Sequence, residues 1–129
     1  VLIRPVYSPQ MWQCWSNDAG ATWDTAVRTT FPGYAQSMIR TASGVIVVAH
    51  RYPGYTLHLS RDDGLNWDQG TMIDYPCWAM GCTIEVEPDV LVVAYMNSCY
   101  GDVPNLSKVE KSPLLVQRVR ITPDGIVPD

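Results

Sequence analysis

The eight residues Ser16-Asn17-Asp18-Ala19-Gly20-Ala21-Thr22-Trp23 recur as Ser60-Arg61-Asp62-Asp63-Gly64-Leu65-Asn66-Trp67. Both copies read S-x-D-x-G-x-[TN]-W, and their tryptophans lie 44 residues apart. A repeat of that length is the size of one four-stranded propeller blade. The spacing therefore predicts an all-β chain of equivalent antiparallel sheets. The octet itself has a physical logic. An aspartate at its third position can accept hydrogen bonds from backbone N–H groups a few residues on, which closes a turn. Gly20 and Gly64 supply the positive φ such a turn needs at low steric cost. Trp23 and Trp67 pin the turn to its sheet through a large apolar body, and Ser16, Ser60 and Thr22 offer hydroxyls for further local bonds. A calcium loop is the rival reading, but neither copy has the D-x-[DN]-x-[DN]-G spacing or the later glutamate of an EF-hand.

On these residues the octets are identified as Asp boxes, and the chain resembles the bacterial neuraminidase repeat family of sialidase-like β-propellers. The resemblance covers almost the whole chain at the level of blades. It implies part of a six-bladed propeller of four-stranded antiparallel sheets. Propellers carry four to eight blades, and at 44 residues per blade the 129 residues supply nearly three. We therefore expect 1–129 to be the C-terminal part of such a propeller. A partial blade would span about 1–31, a complete one 35–74 and another partial one 78–129. The rest of the ring would be needed to close it, and the fragment alone is not expected to be active. Asp boxes also occur in propellers that are not sialidases.

Composition agrees with a sheet-rich core: 47% of residues are hydrophobic and five are tryptophan. The net charge of −4 disfavours nucleic acid and anionic membranes as partners. An anionic sugar is not excluded, since clustered arginines can reverse the potential inside a pocket. The longest apolar run, Val90–Met96, is far too short for a membrane span. Cysteines stand at 14, 77, 82 and 99 without a C-x-x-C pair, and His50 and His58 match no zinc spacing, so no metal and no cofactor is expected. A Cys82–Cys99 disulfide is conceivable, and buried free thiols are the favoured reading. Asn105-Leu106-Ser107 is a glycosylation triplet of a kind that arises often by chance. A secreted or extracytoplasmic location follows from the family resemblance alone.

Strands are expected at 2–7, 11–15 and 23–29, then at 35–40, 45–50, 56–60 and 68–73. The run 45–50 opens with four β-branched apolar residues, as in a strand covered on both faces. Further strands are expected at 82–87, Val90–Met96 and 114–121, with a polar excursion over 97–113. Thr122-Pro123-Asp124-Gly125 falls where a third octet would sit, without its serine and tryptophan.

The family resemblance implies an arginine triad for a sugar carboxylate, whose planar forks match it bidentately. It also implies a tyrosine nucleophile backed by a glutamate, since an anionic nucleophile would be repelled by an anionic substrate. Arg51, which closes the buried run, and Arg40, which ends the preceding strand, are the substrate-binding candidates, each set against a surface arginine paired with a nearby aspartate. Arg61 lies inside an octet and is expected to be solvated. No tyrosine occupies 78–85, where Cys82 stands about where an aromatic hydroxyl would be expected. Tyr95 is the remaining catalytic candidate, and it is more often a packing residue in such a position. Glu85 and Glu87 could activate a nucleophile or be merely solvated. The missing tyrosine favours the alternative of a non-catalytic carbohydrate- or protein-binding Asp-box propeller, in which Tyr52, Tyr55 and Trp78 would be exposed for stacking on a sugar. The partner on either reading is a sialoglycoconjugate or similar acidic glycan.

Overall fold

A computed structural model describes residues 1–6, 8–34, 37–51, 54–75, 81–96 and 114–129. These are all-β: eleven strands in three antiparallel sheets, with no helix among the described residues. The chain divides into two compact units, Val1–Tyr34 and Ala35–Asp129.

The first unit is one sheet of three strands in the order β1 (Leu2–Ile3), β2 (Gln10–Gln13), β3 (Val27–Pro32). Met11 and Phe31 are fully buried within it. Thr29 is buried between them and satisfies its hydroxyl by donating to Phe31 O at 2.9 Å. Gly33 must be glycine here, because a Cβ would stand 1.6 Å from Met11 Cγ.

The second unit holds two four-stranded sheets. One runs β4 (Ser37–Arg40), β5 (Ile46–His50), β6 (Tyr55–Ser60), β7 (Thr71–Asp74) in chain order. The other runs β8 (Gly81–Glu87), β9 (Val90–Met96), β10 (Leu114–Thr122), β11 (Gly125–Pro128). Four of the five residues of β5 are buried, so the expectation of a strand covered on both faces holds there, and every residue of β6 is buried as well. Alternation splits their side chains between the faces. Val47, Ala49, Tyr55, Leu57 and Leu59 meet Leu91, Val93, Tyr95, Val119 and Ile121 of the neighbouring sheet in one core. Burial of such side chains stabilises by about 1.5–3 kcal/mol each, before conformational entropy is set against it.

Two expectations need correction. The fourth strand of the last sheet, β11, was not foreseen, and Thr122-Pro123-Asp124-Gly125 spans its hairpin with β10. The strands after the octets also start later than 23 and 68. The amide after each tryptophan first bonds back across the turn, Asp24 N to Trp15 O and Asp68 N to Leu59 O. Pairing resumes only at Val27 and Thr71.

The two octets are bonded in the same pattern around their aspartates and serines. Asp18 Oδ1 accepts from Thr22 N at 2.8 Å and its Oδ2 from Thr22 Oγ1 at 2.6 Å. Asp62 Oδ1 accepts from Asn66 N at 2.9 Å and its Oδ2 from Asn66 Nδ2 at 2.7 Å. Ser16 and Ser60 each accept from the octet glycine, at 2.7 and 2.8 Å, and donate to the aspartate. Gly20 and Gly64 have φ of 92° and 84°, and the preceding Ala19 and Asp63 share the left-handed region at 57° and 60°. Hydrogen bonds from Thr22 and Ser16 hold the Asp18 carboxyl down at about 2. Each octet joins the last two strands of its own sheet.

Candidate functional site

Unit 2 presents two edges, and the predicted site residues divide between them. Arg40 ends β4 immediately before the hairpin, paired in register with Ile46. Arg51 follows the last residue of β5. Arg51 lies five residue steps beyond Ile46, about 16 Å at ~3.3 Å per residue. The two guanidinium groups thus sit at opposite ends of one sheet and cannot grip a single carboxylate. Arg40 is half-exposed and engaged at the octet edge, with Nη2 2.7 Å from Asp63 Oδ1 and Nη1 donating to Gly44 O at 3.2 Å. Arg61 is exposed, as expected, and donates to Thr122 O. The octet edge also takes up the two glutamates. Glu85 accepts from Ala42 N at 2.7 Å and from Asp89 N at 2.9 Å, which clips the two hairpin turns together. Glu87 pairs with Arg118 at 2.8 Å. Neither stands ready to activate a tyrosine at the far edge.

The Arg51 edge gathers a different set. Tyr55 starts β6 and Tyr95 lies near the end of β9; their rings stack with centroids 4.8 Å apart and planes 14° from parallel. Tyr95 is fully buried, and its hydroxyl accepts from Gln117 Nε2 at 2.6 Å. Tyr55 is 1% exposed, so it is a core aromatic and not the exposed stacking residue that its loop-like neighbours Pro53 and Gly54 suggested. Gly81 is in register with Tyr95, and a Cβ on it would stand 2.4 Å from Cε2 of Tyr55. Arg51 itself is half-buried. Tyr52, Trp78, Cys77, Cys99 and the Asn105 triplet lie outside the described residues. Cys14 is a buried free thiol as favoured, and Cys82 is free too but exposed, which corrects its expected burial.

Sequence reasoning missed what His50 and His58 do. Both are buried, stacked with ring centroids 5.1 Å apart, with Nε2 facing Nε2 at 3.1 Å. One ring donates and the other accepts across that contact. Gly70 completes the fit, as a Cβ there would stand 2.4 Å from the His58 ring. Burial pushes His58 below its ordinary value, and Asp68 beside Nδ1 opposes that only in part. A depressed histidine has a definite consequence for stability. Above the unfolded value of about 6.5 both states are neutral and nothing changes with pH. Below it the unfolded imidazole binds a proton that the buried one refuses, so stability falls as pH drops through that range. The His58→Gln variant should therefore lose less stability than the parent as pH falls below about 6.5, read as a smaller drop in melting temperature. Among the described residues no group of three metal-ligating side chains assembles.

No family model, curated protein or solved structure matches the chain.

Proposed function

We propose that the chain forms part of a sialidase-like β-propeller and that its Arg51 edge engages a terminal acidic sugar such as sialic acid. The observation carrying this reading is the pair of octets, bonded alike and each joining the last two strands of its sheet, as corner clips on equivalent blades should be. The packing of unit 2 adds support, because β4 lies beside β8 and the two sheets meet face to face. In a six-bladed ring three such sheets would make up half. Arg51 supplies the carboxylate grip, and its planar fork gives orientation as well as charge.

Two outcomes at that edge are chemically distinct. A sialidase-like glycosidase would need a tyrosine activated by a carboxylate, and a binding propeller would not. The engagement of Glu85 and Glu87 at the octet edge, with the burial of Tyr95, favours recognition without hydrolysis for what these residues do by themselves. Hydrolysis in the larger ring would draw its acid and nucleophile from other blades.

Sialyllactose binding by calorimetry and turnover of a fluorogenic sialoside test both. Loss of one charge-assisted contact costs about 1.5–3 kcal/mol, so Arg51→Ala should weaken sialyllactose roughly 10- to 100-fold. Arg40→Ala should leave binding unchanged and cost less than about 1 kcal/mol of stability, as its ion pair is exposed. Equal affinities in the Arg51→Ala variant and the parent would remove the acidic-sugar assignment. Turnover by the parent would decide for the glycosidase.

A further inference from the structure

The octet edge of unit 2 carries a cleft of about 330 Å³ that the acidic-sugar reading leaves unused. Leu59, Trp67, Arg61, Asp62, Asp68 and Asp124 are among its lining residues. Its walls are held in place before any ligand arrives. The second octet fixes Asp62 through Ser60 and Asn66. Arg61 donates from Nη2 to Thr122 O at 2.6 Å, which ties that octet to the β10–β11 hairpin bearing Asp124. Asp68 accepts from Leu59 N at 2.9 Å and from Gly70 N at 3.0 Å, so its carboxylate is aimed by backbone. Walls ordered in advance remove much of the entropic cost of binding.

The chemistry of the lining selects among ligands. A half-buried indole offers a flat apolar wall, and the oxygens around it are hydrogen-bond acceptors. Three carboxylates against a single guanidinium, already bonded to a carbonyl, give a negative field that repels anions. A ligand that fits must carry one apolar face and a rim of hydroxyl donors. The volume lies at the small end of ligand sites and suits one ring of that kind, whereas a small ammonium ion would leave most of it unfilled. We propose that this cleft is a second binding site, taking a neutral pyranose that stacks on Trp67 and donates its hydroxyls to Asp124 and Asp68. The two edges would then sort sugars by charge, acidic at Arg51 and neutral at the octet. The proposal stands on the cleft alone and does not depend on the acidic-sugar reading.

The test is titration of the isotope-labelled chain with methyl β-galactoside and methyl β-glucoside, followed by amide chemical shifts. Shifts concentrated at residues 59–68 and 122–125 are expected, with Kd on the order of millimolar. Asp124 sits exposed in a hairpin, so Asp124→Ala should fold normally and weaken binding about tenfold or more, equivalent to ~1.4 kcal/mol. Trp67→Phe should weaken binding less than Asp124→Ala does, and Arg51→Ala should leave it unchanged. Absence of shifts at about 50 mM glycoside, far above a millimolar Kd, would overturn the site. So would binding that survives Asp124→Ala but is lost with Arg51→Ala, or preferential binding of tetramethylammonium at the same amides. Absent shifts or a preference for tetramethylammonium would leave the reading of sialyllactose binding at the other edge untouched.

Discussion

Replacing Gly81 with alanine should destabilise unit 2 by about 1–3 kcal/mol, the usual range for an extra carbon forced into a packed core. The reason is a contact that has no room to give. A Cβ on Gly81 would stand 2.4 Å from Cε2 of Tyr55 and 2.5 Å from its hydroxyl oxygen. Tyr55 cannot easily swing aside, because its ring lies on that of Tyr95, and Tyr95 is anchored by Gln117. The cost must then fall on β8 itself, by loosening its pairing with β9 at Gly81↔Tyr95. Urea denaturation should show a lower midpoint with an unchanged slope, since the native fold persists and is only strained. Against typical stabilities of about 5–15 kcal/mol, that is a large share. A double-mutant cycle identifies the cause. In a Tyr55→Leu background the same Gly81→Ala change should cost markedly less, because the clashing ring is gone. Equal costs in both backgrounds would place the strain elsewhere.

Much of this architecture is legible in the sequence, and the parts that are not have identifiable causes. The run 45–50 declares a doubly covered strand because β-branched side chains occupy both of its faces. The octets declare their turns because aspartate, glycine and tryptophan each have one role to fill there. β11 escapes because its four residues include a proline and follow a turn stripped of serine and tryptophan. The candidate site fared worse, for reasons of geometry. Arg40 and Arg51 looked like one site because both flank the same buried strand. Yet Arg40 precedes the hairpin turn and Arg51 follows the strand it feeds, and that order alone puts them at opposite ends. Tyr55 looked exposed beside Pro53-Gly54, although it shares parity with Leu57 and Leu59 on the core face. The His50–His58 pair was invisible without register, since Val48 opposes His58 and Thr56 opposes His50. Single residues betray their strand, but which strand end or which diagonal neighbour they meet is a property of pairing.

Tyr95 offers the second large effect, and a series at that position separates packing from chemistry. Tyr95→Ala should cost about 3–5 kcal/mol, the range for removing a fully buried aromatic ring. The vacated space would also strip Tyr55 of its stacking partner. Such a variant would lose function for trivial reasons, so the informative change is Tyr95→Phe. It keeps the ring and the stack and removes the acceptor for Gln117 Nε2. Gln117 belongs to an exposed stretch of β10, where water can replace that partner, so the penalty should be about 1 kcal/mol or less. If Tyr95 serves packing alone, sialyllactose affinity and any turnover in the parent should be unaltered by this change. A nucleophilic Tyr95 would behave differently: Tyr95→Phe would abolish turnover by at least about 1,000-fold while the melting temperature hardly moved. Its hydroxyl is enclosed and held by an amide, with the two nearby-sequence glutamates committed to the opposite edge. We therefore expect the phenylalanine variant to match the parent in both assays, with its only deficit a small one in urea.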